Sequence, residues 1–337
     1  MKAEEAVRQF GEMIISRMEE MKESKWQKGW FTKTYGVMPT NLSERKYNGL
    51  NSFLLFLHMD RQGYKWPLFA TFRQIKELGG SVLKGEKSFP VLFWKLQYKD
   101  EKGEKISEGV YDLMSFAEKR LCEIKPTLKY YNVFNVDQTD LEEVVPDKIE
   151  KIKKKLGIKD AMELPTDTSG MYENEKIDAM LREQTWHCPI VFDEYSSGAY
   201  YSPISDNITV PMKSQFRKGH SEEEVFVSGQ EYYSTLLHEM LHSTGHESRL
   251  NRFVKAVGGE SYGREELVAE LGAALIGHLL GFSTKILDNN VAYLDGWIKI
   301  LRKKPSFIVS VLSDVSKAVK MVSEKVNEES LAKVKVS

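Results

Sequence analysis

The chain has 337 residues, 41% of them apolar and 29% charged, a balance that fits a soluble globular protein and excludes a disordered or fibrous class. Two cysteines, Cys122 and Cys188, make no CxxC and no pairing pattern, which excludes a disulfide framework and fits a reducing compartment. The net charge of −1 hides an uneven distribution: Lys22 to Lys99 holds 14 Lys and Arg against 5 Asp and Glu, either a polyanion-binding surface or a solvated lysine-rich face.

The first residues carry charges throughout and lack the apolar core of a signal peptide. The longest apolar run, Leu271 to Phe282, falls well short of the roughly 20 residues a membrane span requires, so a cytoplasmic location without membrane contact is expected. Val7, Phe10, Ile14, Met18 and Met21 recur at helical spacing and form one apolar stripe of an amphipathic helix. Further helices are predicted around Asn51 to Met59 and around Thr71 to Leu78, the second stopped at Gly79 and Gly80. Pro90 to Lys95 and Lys129 to Val136, aromatic and β-branched, read as strands. Phe69, Phe72 and Trp94 sit in apolar runs and read as core.

Residues 139–170 are charged and weakly periodic, with a basic run Lys151 to Lys155 and prolines at 146 and 165, and are taken as a linker between an N-terminal domain (1–138) and a C-terminal domain (171–337). The second unit opens with a helix Glu173 to Glu183 and a strand around Ile190 to Phe192. Ala199 to Tyr201 and Asn207 to Val210 follow on either side of a turn, and the remainder is helical. The expected fold class is α+β in two domains.

In STLLHEMLHSTGH, His238 and His242 are four apart, so on a helix they project from one face a turn apart and can share a metal. Glu239 is offset around that helix, suited to act as general base on water activated by the metal rather than as a ligand. Tyr233, Leu236, Leu237, Met240 and Leu241 supply an apolar face and Gly245 a stop. The bland alternative is two histidines hydrogen-bonded in a core.

A catalytic zinc site usually has three protein ligands and one open position. The segment GREELVAELGAALIGHLLG reads as a helix with Glu266 and Glu270 on one face, and inward carboxylates are costly unless paired or bound to a cation. Glu266 is the expected third ligand to Zn2+, and Glu270 a partner that orients one ligand histidine. Glu265 is a substitute for Glu266, His246 ranks second as third ligand, and ordinary surface charge is the bland reading of the glutamates.

These motifs, with YNGLN at Tyr47 to Asn51, TFRQIKELGGSVLKGEK at Thr71 to Lys87, VFNVDQ at Val133 to Gln138, AYYSP at Ala199 to Pro203 and YLDGWIKIL at Tyr293 to Leu301, resemble the ArdC-type antirestriction proteins. The resemblance implies an N-terminal α+β domain that binds single-stranded DNA and a C-terminal zincin-like metallopeptidase domain built on the HExxH helix. It implies His238, Glu239, His242 and one glutamate of EELVAE at the metal, and a setting on mobile genetic elements.

Single-stranded DNA binders combine a basic groove with aromatic platforms. On that expectation Trp26, Trp30, Tyr35 and Tyr47 are candidates for base stacking, and Lys33, Arg45, Lys46, Arg73, Lys84 and Lys87 for phosphates. The expected activity is hydrolysis of a protein or peptide substrate, which the Asn207 to Val210 strand receives as an added strand. The rival reading is a non-enzymatic protein that shields incoming single-stranded DNA, its zinc site structural or vestigial. A third is a protease for DNA-bound proteins. Substrate identity and oligomeric state are not legible in the sequence.

Overall fold

The computed structural model describes residues 3–24, 29–31, 36–47, 49–158, 170–253, 259–282 and 293–334. Among them, no helix is long and apolar enough to cross a membrane.

The N-terminal half is α+β. Helix α1 (Ala3–Glu23) buries the whole predicted stripe, with Phe10, Ile14, Met18 and Met21 fully enclosed. Strand β1 (Thr40–Asn41) leads to α2 (Leu50–Gln62), β2 (Leu68–Ala70) and α3 (Phe72–Glu77). The short α3 is held at its start by a capping box between Thr71 and Gln74. Strand β3 (Phe89–Lys99) pairs along its full length with β5 (Glu123–Asn135). Between them lie β4 (Lys105–Ile106) and two short helices, α4 (Glu108–Leu113) and α5 (Phe116–Leu121). The sheet order is β1-β2-β5-β3-β4, with only β1 and β2 parallel.

β3 and β5 run well beyond the segments the sequence marks as strand. Their bases are packed, with Phe89, Val91, Leu92 and Val133 buried, but from Phe93 outward most residues of both strands are exposed or half-buried. The outer part forms a projecting arm. Trp94, expected in the core, is therefore 59% exposed; Phe72, also expected in the core, opens α3 and is 54% exposed, whereas Phe69 is enclosed as expected. The reason is that an apolar run marks burial only where a second layer covers the strand.

Where the sequence suggests a linker, α6 (Leu141–Val144) and α7 (Pro146–Leu156) form, and Leu141, Ile149 and Ile152 pack with Leu68, Ala70, Ile75 and Val136 in a small separate core. Prolines seed rather than break this segment, since Pro146 stands at the first turn of α7, where its missing N–H costs nothing. Residues 159–169, with Pro165, lie outside the described residues.

The second half opens with α8 (Glu175–Glu183) and a three-stranded sheet of β6 (Ile190–Val191), β7 (Tyr200–Ser202) and β8 (Asn207–Thr209), in the order β6-β8-β7. Among the described residues four helices follow: α9 (Glu222–Ser243), α10 (Gly259–Leu280), α11 (Leu294–Lys303) and α12 (Phe307–Val334). One apolar core runs through both halves. Phe10 and Ile14 of α1 and Phe53 and Phe56 of α2 join Leu267 and Leu271 of α10 and Val311 and Val315 of α12 in the same cluster.

The position of β8 corrects one expectation. It lies between β6, which it pairs in parallel, and β7, which it pairs antiparallel, so both of its edges are taken and no substrate can add to it. The free edge beside α9 belongs to β7.

Candidate metal centre

Helix α9 starts at Ser221, whose hydroxyl accepts from the Glu224 amide while the Glu224 carboxylate accepts from the Ser221 amide. This box fixes the helix whose last two turns carry His238, Glu239 and His242. Helix α10 packs closely across it at Gly272, where an added Cβ would stand 2.8 Å from Leu241 Cδ1. The absence of a side chain there lets the glutamates of α10 reach the histidines of α9.

The two imidazoles converge, with Nε2 of His238 and Nε2 of His242 3.0 Å apart. Glu266 reaches both: one carboxylate oxygen is 3.4 Å from His238 Nε2 and the other 3.6 Å from His242 Nε2. A tetrahedral ion with bonds of about 2.0–2.1 Å separates its ligand atoms by roughly 3.3 Å, so these spacings fit a His2Glu metal site. His238, Glu239 and Glu266 are each less than a tenth exposed.

Electrostatics agree with a cation-binding cluster. Burial opposes a charge on His242, yet the carboxylates of Glu265 and Glu266, with Glu239 beyond them, outweigh it and hold its pKa up at about 10. Burial would raise the Glu266 carboxyl, but His238 and His242 pull it far below the usual range. These are the marks of ionised groups gathered in a low-dielectric place.

Two further carboxylates stand behind the imidazoles. Glu265 Oε1 lies 3.7 Å from His242 Nδ1, and Glu270 Oε2 lies 3.9 Å from His238 Nδ1. Each carboxylate is itself held. Arg252 clasps Glu265 through Nε, at 3.0 Å, and Nη2, and the same guanidinium donates to Leu241 O at 2.8 Å and Thr244 Oγ1 at 2.7 Å, so it also caps the end of α9. Trp30 Nε1 donates to Glu270 Oε1 at 3.3 Å. Sequence reasoning missed both holders.

His246 takes no part in this cluster among the described residues. After α9 ends, its Nδ1 meets Ser248 Oγ at 2.8 Å and lies 3.8 Å from Asp206. Asp206 is chelated by Arg249, which also donates to Ser243 O at 2.6 Å and to Tyr201 OH at 3.1 Å. This network pins the turn after β7 to the end of α9.

The expected DNA contacts fare unequally. Trp30 is fully buried and Tyr47 nearly so, and neither offers a ring face to a base, which corrects both assignments. Each is held inside the molecule: Trp30 lies edge-on to Phe53, and Tyr47 lies edge-on to Phe69. Arg45, Lys46, Arg73, Lys84 and Lys87 are exposed. Trp26, Lys33 and Tyr35 lie outside the described residues.

A different surface combines rings and positive charge. On the β3–β5 arm the cross-strand pairs Phe93–Lys129, Lys95–Thr127 and Gln97–Lys125 project to one face, joined at the base by Tyr131. Phe93 and Tyr131 are neighbours with ring centroids 5.7 Å apart. Lys95, Lys125 and Lys129 are exposed and in no ion pair among the described residues. The opposite face carries Trp94, Leu96 and Ile124, also exposed. Period-two alternation could have found this face, because Lys95, Lys125 and Lys129 fall on the same side as Phe93 and Tyr131.

Comparison with known proteins follows the same division. Residues 4–134 match the family of the N-terminal domain of anti-restriction factor ArdC, and residues 175–314 match the zincin-like metallopeptidase family. The crystal structure of the antirestriction ArdC protein from plasmid R388, in its metal-free form, is 28% identical with a TM-score of 0.67, covering 96% of this chain and 98% of that one. Its Mn(II)-bound form gives 27% and 0.63, covering 94% and 97%. Two DNA primases TraC of Escherichia coli are 27% and 29% identical over 91% and 93% of this chain. The chain spans only 19% and 27% of the length of those two relatives.

Proposed function

The chain is built as an ArdC-type antirestriction protein, an N-terminal ArdC domain followed by a zincin-like metallopeptidase domain, and from that premise we propose that it is a zinc peptidase whose N-terminal half holds single-stranded DNA. The observation that carries the enzymatic part is the convergence of His238, His242 and Glu266, each with a ligand atom within 4.8 Å of the others' and with Glu239 adjacent on the same helix. Two imidazoles and one carboxylate suit zinc and leave a position open for chemistry.

Bound Zn2+ supplies Lewis-acid polarisation of a carbonyl and makes water acidic near neutral pH. Glu239 accepts the proton of the attacking water and delivers it to the leaving amine. Glu265 and Glu270 orient the two imidazoles from behind. The substrate backbone lies along β7, whose edge is free and whose turn Arg249 and Asp206 fix to the end of α9.

Single-stranded DNA is assigned to the basic, aromatic face of the β3–β5 arm, with Phe93 and Tyr131 for stacking and Lys95, Lys125 and Lys129 for phosphates. The opposite, apolar face suits a protein partner less polar than DNA.

Two assays test the reading. Metal analysis of the purified chain is expected to give about one zinc per molecule, the one such cluster among the described residues having the three protein ligands typical of catalytic zinc, and a protein substrate is cleaved by the native chain but not by Glu239→Gln. Binding of an oligo-dT probe is expected to lose roughly 2 from the slope of log affinity against log salt when Lys95, Lys125 and Lys129 are all changed to Gln. A zinc-free native chain after metal-replete purification refutes the enzyme, and an unchanged salt slope refutes the arm as the DNA surface.

A further inference from the structure

The N-terminal half supplies part of the metal centre itself. Trp30 is enclosed completely, yet its only polar side-chain atom is not spent within its own half: Nε1 donates across the molecule to Glu270 Oε1 at 3.3 Å. The other oxygen of the same carboxylate faces His238 Nδ1 at 3.9 Å. Among the described residues that nitrogen is buried with no hydrogen-bond partner of its own. A histidine that binds a metal through Nε2 carries its proton on Nδ1, and a carboxylate aimed at that proton fixes the tautomer and strengthens the ligand.

Trp30 is in turn anchored by both N-terminal helices. Arg17 of α1 donates from Nε to Trp30 O at 3.0 Å, and its Nη2 pairs with Asp60 of α2 at 3.0 Å, all three groups being shielded from solvent. The ring lies edge-on to Phe53 of α2, with centroids 5.7 Å apart. The indole N–H is therefore a fixed donor, and Glu270 has to present one defined oxygen to it and the other to His238.

We infer that Trp30 is a positioning residue of the metal centre, through which the N-terminal half sets the orientation of Glu270 and the affinity of the His238, His242 and Glu266 site for its ion. This inference rests on the metal-site reading above. It makes that site a product of two domains rather than of the zincin-like domain alone. It also gives DNA held by the N-terminal half a material route to the metal, through α1, α2 and Trp30.

The test is a double-mutant cycle in the full chain, reading the zinc dissociation constant by competition with a chromophoric chelator and the visible absorption of the Co2+ form. Trp30→Phe keeps an aromatic ring and removes the N–H; it is expected to weaken zinc about tenfold and shift the Co2+ bands, while the smaller ring in this enclosed place lowers the melt of the metal-free protein without unfolding it. Glu270→Gln is expected to weaken zinc more. With its amide oxygen held by Trp30, the amide NH2 is forced against the Nδ1 proton of His238.

The double variant, in which the amide can turn over, is expected to bind zinc more tightly than Glu270→Gln alone. Equal or weaker binding by the double variant overturns the inference, as does a folded Trp30→Phe with native affinity and native spectrum. If Trp30→Phe does not fold, Glu270→Gln decides by itself, since an amide free to turn costs the site nothing. A native chain that binds no zinc at all instead overturns the metal-site reading on which the inference stands.

Discussion

The spacing of α9 and α10 is open to a sharp test at two glycines of the same helix. At Gly272 a methyl group would lie 2.8 Å and 2.9 Å from the two Cδ atoms of Leu241. Ordinary carbon contacts are about 3.5–4.0 Å, so either Leu241 or the helix must give by roughly 1 Å. Alanine in a helix gains about 1 kcal/mol over glycine, but forcing a methyl into a packed core costs about 1–3 kcal/mol, so the clash wins or at best draws. At Gly263 the nearest foreign atom to an added Cβ is Trp297 Nε1 at 3.7 Å, an ordinary contact, and only the propensity gain remains.

Gly272→Ala is thus expected to lower the thermal midpoint of the metal-free chain, and Gly263→Ala to raise it. The metal reads the same displacement. Leu241 stands immediately before His242, and Glu266 rides on the helix that would move, so a shift beyond about 0.5 Å spoils the ligand geometry. Zinc competition is expected to show at least tenfold weaker binding for Gly272→Ala, on the order of a ligand-orienting mutation, and native binding for Gly263→Ala. If both alanines stabilise the chain and both leave zinc binding intact, Gly272 is not the spacer of this site.

Three further outcomes follow from single contacts. Glu266→Ala is expected to abolish stoichiometric metal in elemental analysis, whereas Glu239→Gln keeps the metal and loses peptide cleavage while still binding oligo-dT. Arg252→Met leaves the buried Glu265 carboxylate without its guanidinium and is expected to cost about 3–5 kcal/mol in urea unfolding, because breaking one side of a buried pair strands the other charge. The hydrogen bonds from Arg249 hold the Asp206 carboxyl below its ordinary range, so the stability they give is complete above about pH 4 and is lost as pH falls toward the lower folded value. The urea midpoint of Asp206→Asn is accordingly expected to vary less than that of the native chain across that acidic window.

The metal helix was legible because its chemistry is local: two histidines four apart, an apolar face and a stop lie within one stretch of sequence. Glu265, Glu266 and Glu270 of α10 were harder to rank. Leu267, Val268, Ala269 and Leu271 are all buried, so the helix has no solvent face against which an inward carboxylate stands out. What separates their roles is which group of α9 or beyond each one meets, and that depends on partners distant in sequence. Trp30 was unreadable for the same reason, its partner being 240 residues away.

The arm failed in the opposite sense. Trp94 looks like core in an apolar run, but no layer covers that part of β3, and the run instead makes one exposed apolar face and one cationic face. The choice of β8 for substrate failed on strand order. A sequence shows that a segment is extended, but its neighbours come from tertiary pairing, and here β6 arrives in parallel on the side that would have been free.

The charges at the centre argue for what the site is meant to hold. Glu265 has the Arg252 guanidinium, a permanent cation at bonding distance, and that pair is self-contained. The ion-pair partners of Glu266 among the described residues are imidazoles alone. An imidazole charged enough to satisfy a carboxylate has no lone pair for a metal, and one that binds a metal cannot neutralise the carboxylate. With both imidazoles neutral, Glu266 and Glu239 carry negative charge that a divalent cation among them would balance, which supports the proposed metal reading. A network built for stability alone would have placed a second arginine there, as it did beside Glu265. That the chain does so at one glutamate and not at its neighbour separates the carboxylate that is already paired from the one proposed here for the ion.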